Sequence, residues 1–345
     1  MDNIRLCTKL IFWLLLGFLS VAIAEVSVAS APFAFVNPIE TVFLTLFYGS
    51  HLLLFAWLAF GRGWPSLATL WLGGVLFGLY EFYITKVLWA PPWGDTIALA
   101  HVDVVSLIVL AFFWHPFMAF IFPLAIGERI GTTSQGIALQ LPRWLTAATP
   151  RRTALIFAIA ALTHGTLIRS SGVALIPTAT AVAAVAAVSW WWRRGGRNRV
   201  WTLQDLLPSD RQGKGLAALV GFWYLAFVPL WNPELLPPLL GHLIVWLLYG
   251  GFAFLFFASR QETTARDQSG DRPAWPRRRV IRWVGSLLVL SLLGSLGRPE
   301  VGFLVVWIVA TVAGLRMLVG TLRCALRNTP RETPPVFRDD DRAHT

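Results

Sequence analysis

The sequence predicts an all-α, polytopic helical membrane protein with about ten transmembrane helices. Three observations carry this prediction: a very apolar composition, apolar segments of spanning length, and basic residues confined to alternate connections between those segments. Residues 1–320 are predicted to form a single integral membrane domain. Residues 321–345 are polar and are predicted to form a disordered cytoplasmic tail.

The composition excludes a water-soluble domain. Of the 345 residues, 56% are hydrophobic and 14% are charged, whereas soluble domains have roughly 25% charged residues. The 18 Trp and 24 Phe residues favour aromatic belts, because amphipathic rings gather at the two membrane interfaces.

Ten segments have the length and apolarity of a membrane span, which takes about 20 residues to cross about 30 Å of hydrocarbon. The fourth is long and contains Pro116 and Pro123, which predicts a tilt or a bend. The predicted spans are residues 6–24, 39–60, 67–89, 96–126, 153–168, 173–192, 216–231, 235–258, 281–297 and 301–320.

The basic residues predict the orientation of these spans. If the N-terminus is inside, every Lys and Arg lies on the inner side except Lys86, Arg169 and Arg298. This distribution obeys the positive-inside rule at each connection, so the C-terminus is predicted to be cytoplasmic and the protein to lie in a cell membrane. The net charge of +11 is then a topology signal, which argues against a nucleic-acid partner and favours the lipid bilayer.

The first segment has a second interpretation. Its apolar run ends in Ala22-Ile23-Ala24, which also resembles a secretory signal peptide with a small-residue cleavage site. Cleavage would leave nine spans and an outer N-terminus, and the sequence leaves both alternatives open.

A parallel internal repeat is also predicted, with units at residues 66–192 and 215–320 that follow two N-terminal helices. Gly78-Leu79-Tyr80 is echoed by Gly221-Phe222-Trp223, and Gly165-Thr166-Leu167 by Gly294-Ser295-Leu296. Spans three to six would then match spans seven to ten, since transporter folds are often built from such repeats.

Five ionisable side chains are the candidates for substrate or ion binding, because a titratable group inside a span is costly and often marks function. Counted at 1.5 Å per residue, all five are predicted to lie about 8–12 Å below the outer surface. They are Glu81, Asp103, His164, His242 and His101.

The helical phase of the third span predicts which way Glu81 points. Gly74, Gly78, Glu81 and Thr85 lie on one stripe, and its small residues would let another helix approach closely. Glu81 is therefore expected to face protein. Asp103, with a serine one turn on, is expected to point inward as well.

The sequence predicts a structural role for two further side chains. Lys86 is expected to extend outward to the membrane surface beside Tyr83. His115, which precedes Pro116, is expected to be an interfacial residue at a kink.

The sequence does not name a reaction. It lacks the zinc, phosphate-loop and nucleophile-elbow motifs, no metal ligand set is predicted, and the cofactor stays unknown. The leading hypothesis is a transporter or permease for a small molecule or ion, with a titratable site in the outer half. The alternatives are a membrane enzyme that acts on a lipid-linked substrate, and a subunit or assembly factor that binds partner subunits, in one version with a haem held between histidines.

Overall fold

The computed structural model describes residues 4–91, 94, 97–141, 150–168, 175–194, 196–260 and 277–327. These ranges are almost entirely helical, and one two-stranded hairpin precedes the fourth long helix. The elements are α1 Leu6–Ala24, α2 Pro38–Phe60, α3 Leu67–Thr85, β1 Ala98–Leu99, β2 Val102–Asp103, α4 Val104–Gly131, α5 Gly136–Gln140, α6 Pro150–Leu167, α7 Leu175–Arg193, α8 Leu203–Leu206, α9 Asp210–Leu230, α10 Leu239–Ser259, α11 Arg277–Gly294 and α12 Pro299–Arg327.

Each of the ten predicted spans contains one long helix among the described residues. Among the described residues, 8 helices are long and apolar enough to cross a membrane. The two others are α6, and α11 with its shorter apolar part Ile281–Gly294. The all-α polytopic fold is confirmed, while the count of ten spans stays a prediction.

Local sequence sets where the central helices begin. The Asn37 side chain accepts a hydrogen bond from the Ile39 amide at 3.1 Å, and Pro38 occupies the first turn of α2. The Ser66 side chain accepts from the Thr69 amide at 3.1 Å and begins α3. Such caps satisfy amides that have no partner within the helix.

The fourth span begins later than predicted. Residues expected to start a helix at 96 form instead an antiparallel hairpin in which Leu99 pairs with Val102. Its turn holds Ala100 and His101 at φ of 48° and 66°, a left-handed conformation that cannot continue an α-helix. The helix starts only after Asp103, whose carboxylate accepts the amide hydrogens of Val105 and Ser106.

Most of α4 is a π-helix, from Leu107 to Ile121. Pro116 lies inside it and has no amide hydrogen. The Phe112 carbonyl, which would face the proline nitrogen in an α-helix, accepts the Trp71 Nε1 hydrogen at 2.8 Å. A side chain of α3 is thus hydrogen-bonded to the backbone of α4 within the π-helical run.

The four N-terminal long helices form the core of the bundle. Between 50% and 83% of the most apolar window of α1, α2, α3 and α4 is buried, compared with 28% or less in α7, α9, α10 and α12. Large apolar side chains remain exposed on the outer helices, including Leu225, Leu247 and Phe254. This is the distribution expected of helices that face lipid.

Two glycines of the predicted repeat meet at one crossing. A Cβ on Gly165 of α6 would lie 2.1 Å from the Ser291 carbonyl oxygen of α11, and a Cβ on Gly294 would lie 2.2 Å from the Leu162 carbonyl oxygen. Gly165 therefore packs on the carbonyl of the residue three positions before Gly294, and Gly294 packs on the carbonyl of the residue three positions before Gly165. This reciprocity is that of a local two-fold axis, and it supports the repeat, which stays a prediction.

The boundary of the C-terminal tail also differs from the prediction. The last helix is described through Arg327, which includes the first seven residues of the segment predicted as the tail. The remaining tail residues, the connection at 261–276, and Arg169 lie outside the described residues.

Candidate functional site

The site is built around the close crossing of α3 and α4. A Cβ on Gly74 would lie 2.3 Å from the Pro116 Cα atom, and a Cβ on Gly78 would lie 3.0 Å from the His115 Cβ atom. The structure thus confirms that the glycine stripe of α3 receives another helix. Glu81, on the same stripe, faces the interior.

Glu81 is paired with His115. The Nε2 atom of His115 contacts the Oε2 atom of Glu81, and the two side chains are only 4% and 13% exposed, respectively. His115 was expected at an interface, which is wrong: the π-helix carries it into the core, where its Nδ1 atom lies 3.3 Å from the Leu110 carbonyl oxygen. A carbonyl can only accept, so this Nδ1 carries a hydrogen.

Tyr48 and Glu25 extend the pair into a chain. The Tyr48 hydroxyl of α2 lies 3.2 Å from the same Oε2 atom of Glu81 and contacts Oε1 of Glu25 as well. Glu25 follows the last residue of α1, and its Oε2 atom accepts the Ser30 hydroxyl at 2.5 Å. The acid–imidazole chain is defined here as Glu25, Tyr48, Glu81 and His115.

Hydrogen counting shows that this chain holds an exchangeable proton. Its three contacts need three hydrogens, and Tyr48 supplies one. The Glu81–His115 contact needs a second, from an imidazolium or a carboxylic acid. If Tyr48 donates to Glu81, then Glu25 must be protonated and donate to Tyr48. If Glu25 loses that proton, its ionised carboxylate faces the Tyr48 oxygen with no hydrogen between them. The Tyr48 hydroxyl must then rotate and donate to Glu25 instead of Glu81.

The acid–imidazole chain lies toward one end of the bundle. Glu25 caps the last turn of α1, and Glu81 lies four residues before the end of α3, or about 6 Å along the axis at 1.5 Å per residue. This end, where α1 and α3 finish and α2 begins, is the Glu25 end. It is the end that the charge distribution predicts to be outer.

The five predicted candidates do not come together. Asp103 is 3% exposed and acts as the cap of α4, with bonds to the Val105 amide at 3.0 Å and the Ser106 amide at 3.2 Å. Its carboxylate is thereby satisfied by its own helix start. His101, expected in a span, is exposed at the turn of the β-hairpin.

His164 and His242 lie in two further settings. His164 of α6 is placed 2.8 Å from the Ser27 carbonyl oxygen through Nδ1, and 2.7 Å from the Thr178 hydroxyl through Nε2. His242 of α10 contacts the Tyr83 hydroxyl through Nδ1. Each histidine joins neighbouring helices, and Glu81 alone of the predicted candidates belongs to the acid–imidazole chain.

Lys86 does not extend to the surface as expected. It is 0% exposed, and its Nζ atom donates to the Ile84 carbonyl at 3.0 Å and to the Val228 carbonyl at 2.7 Å. Burial lowers the pKa of Lys86, and the charge of Glu234 acts in the opposite direction. The ammonium group caps the carbonyl ends of α3 and α9, where a helix favours positive charge.

Three members of the acid–imidazole chain were missed by sequence reasoning. Glu25 and Tyr48 were not among the candidates predicted from the sequence. His115 carried the clearest available signal, since it is an ionisable residue beside a proline in a span.

Other polar or open features lie apart from this chain. Among the described residues, no three His, Cys, Asp or Glu side chains are grouped so that they could hold a metal ion. An apolar groove of about 350 Å³ lies between α10 and α12 and is lined by residues such as Leu248, Gly251 and Leu318. It contains no member of the acid–imidazole chain.

Comparison with known proteins shows the family to which the chain belongs. Residues 14–331 match the model of a family described as "Uncharacterized membrane protein family". The chain belongs to this family. The protein is therefore an integral, multi-pass membrane protein, and all four residues of the acid–imidazole chain fall within the matched range.

A relative from Archaeoglobus fulgidus supports this membership. It is described as "Uncharacterized protein" and is 32% identical over 275 residues, which cover 76% of this chain and 83% of the relative. No solved structure matches.

Proposed function

We propose that the protein is a transporter or permease in the cell membrane that moves a small molecule or ion in exchange for, or together with, protons. The observation that carries this proposal is the acid–imidazole chain, a hydrogen-bonded run of titratable groups in the core of four packed helices. A carboxylate in such a setting is expensive and marks an ion or proton pathway more often than a structural contact.

The position of the site supports the same function. The positive-inside distribution predicts a cytoplasmic C-terminus and puts the Glu25 end outside. Glu25 is partly exposed there, whereas Tyr48 is 2% exposed. A proton would enter at Glu25 and reach Glu81–His115 through the Tyr48 hydroxyl, which can accept on one side and donate on the other.

A pH jump on reconstituted protein tests the site. Purified protein in vesicles of phosphatidylethanolamine and phosphatidylglycerol is adsorbed to a solid-supported membrane, and the charge displaced by a sudden pH change is recorded. We expect a transient current that Glu81→Gln abolishes. Glu40→Gln is the matched control, because Glu40 lies at the same end of the bundle, in the first turn of α2, outside the chain.

Coupling is measured in vesicles loaded with a pH-sensitive dye. Gradients of sodium, phosphate, lactate, glycine and glucose are applied in turn, and we expect proton flux with one of these classes that Glu81→Gln removes. A pH-jump current that persists in Glu81→Gln would refute the site. A wild-type current without coupled flux for any of the probes would refute transport.

A further inference from the structure

His51 is a second fully buried histidine close to the acid–imidazole chain. It lies on α2, three residues after Tyr48, and is 0% exposed. The rings of Phe47, Tyr80 and Phe77 surround it at centroid distances of 4.6, 4.4 and 5.1 Å, and the Phe77 ring is parallel to within 10°. The imidazole is therefore held in one orientation.

The hydrogen bonds of His51 define its tautomer. Its Nδ1 atom lies 2.6 Å from the Phe47 carbonyl oxygen, which can only accept, so Nδ1 carries the hydrogen. The Nε2 atom of the neutral ring is then a lone-pair acceptor. It is buried and has no hydrogen-bond partner within the described part of the chain. A buried acceptor without a donor is unusual and requires an explanation.

Helix register places this acceptor one turn deeper than the Glu81–His115 pair. On α2, Tyr48 contacts Glu81, and His51 follows it by nearly one turn. On α3, Phe77 precedes Glu81 by about one turn, and its ring lies between His51 and His115, 5.1 Å from one and 5.5 Å from the other.

The titratable groups near His51 come from each helix around it. Tyr48 belongs to its own helix, and Tyr80 and Glu81 belong to α3. The others are Glu25 of α1, His115 of α4 and Tyr224 of α9, whose ring lies 5.4 Å from that of Tyr80.

We infer that His51 Nε2 is the inner proton acceptor of the site, which rests on the proposed function. An O–H bond of the Glu25 or Glu81 carboxyl group breaks and an N–H bond forms at His51 Nε2. Because no described residue is hydrogen-bonded to that nitrogen, a water molecule carries the proton between the carboxyl group and His51. The net result is one proton moved about one helical turn toward the middle of the membrane. No electron is gained or lost, and His51 becomes an imidazolium.

The contrast between the two core histidines supports this assignment. Both hold a backbone carbonyl of their own helix through Nδ1, so both present Nε2 to the interior. In His115 that atom is occupied by Glu81, whereas in His51 it is free of any partner in the described residues. The core therefore contains one histidine Nε2 that is already hydrogen-bonded and one that can still accept a proton.

His51→Asn tests the inference, because asparagine keeps an amide nitrogen near the Nδ1 position and removes Nε2. In the pH-jump assay we expect His51→Asn to reduce the displaced charge while leaving a fast component from Glu25 and Glu81. His101→Asn, at the exposed hairpin turn, serves as the matched control and should displace the wild-type charge.

A second measurement does not depend on whether a variant at His51 folds. Nitrogen-15 NMR of protein labelled at histidine should show one Nε2 that changes from unprotonated to protonated as the pH falls, with its titration shifted in Glu81→Gln. An Nε2 that stays unprotonated across the range in which the pH-jump current appears would overturn the inference.

The outcomes separate this inference from the proposed function. If Glu81→Gln abolishes the current and His51→Asn leaves it unchanged, the site stands and His51 is not its acceptor. If both variants keep the full current, the proposed function fails as well.

Discussion

Glu81 illustrates how far residue-level reasoning reaches in this sequence. Its phase on α3 relative to Gly74 and Gly78 was sufficient to predict that it faces protein, because a helix repeats every 3.6 residues. Its partners could not be predicted in the same way. Tyr48 and His115 lie 33 and 34 residues away along the chain, and only the packing of α2 and α4 against α3 brings them together.

Lys86 is a residue whose position was predicted wrongly. The sequence favoured an extended, surface-seeking side chain, as lysines near helix ends commonly are. The residue instead adopts φ of 62° and turns back to cap two helices. The acceptor on α9 is 142 residues away, so no local pattern could have indicated it.

The Tyr48 hydroxyl provides a residue-scale prediction. Tyr48→Phe removes the hydroxyl that joins the carboxyl groups of Glu25 and Glu81, and we expect it to lower the free energy of unfolding by about 1–3 kcal/mol. The measurement is SDS-induced unfolding in mixed micelles, followed by far-UV circular dichroism.

Tyr249→Phe is the matched comparison. The Tyr249 hydroxyl is buried with no hydrogen-bond partner in the described residues, so its removal should be neutral or stabilising by up to about 1 kcal/mol. Equal losses in the two variants would show that Tyr48 contributes no more than an ordinary buried ring.

At the scale of elements, the α3–α4 crossing was partly foreseen. Small residues on α3 predicted a close approach, and Pro116 predicted a departure from regular helix. The 15-residue π-helical run was not predicted, because a proline in a span indicates a departure from regular helix without giving its kind or its length. His115 lies within this run and is buried.

Gly74→Ala tests this crossing. The new Cβ would meet the Pro116 Cα atom at 2.3 Å, and backbone cannot move aside as a flexible side chain can. We expect a loss of at least about 1–3 kcal/mol in the free energy of unfolding, together with loss of the pH-jump current, since His115 and Glu81 would separate.

Gly221→Ala is the control for that substitution. It lies in the middle of α9 with nothing within 4 Å of the added Cβ, so it should gain up to about 1 kcal/mol from helix propensity. Destabilisation by both alanines to the same extent would contradict a specific role for the α3–α4 contact.

At the scale of the whole molecule, hydropathy was sufficient to place every long helix, and its bounds agree closely for α1, α2 and α6. The hairpin at Ala98–Asp103 was not predicted, because apolar residues in a hairpin have the same hydropathy as apolar residues in a spanning helix. Which helices form the buried core could not be read from composition either. All ten segments are apolar, and burial depends on which neighbours each one meets.

Orientation provides the whole-molecule prediction. In protein whose two native cysteines are replaced by serine, single cysteines are introduced at the two ends of α9 by Lys214→Cys and Glu234→Cys, both exposed positions. A membrane-impermeant maleimide should label Glu234→Cys in intact cells, and Lys214→Cys only after permeabilisation. The reverse pattern would invert the topology and place Glu25 on the cytoplasmic side.

The reciprocal contact of Gly165 and Gly294 bears on the ancestry of the chain. The part of α6 that contacts α11 corresponds to the part of α11 that contacts α6, as in the interface of a homodimer. Fusion of two copies of a self-associating ancestor would produce this arrangement. The predicted repeat then sets Tyr224 against Glu81 and Phe256 against His115. Two aromatic residues of the second predicted unit therefore stand where the first unit has its acid and its imidazole, so the second unit does not repeat the Glu81–His115 pair.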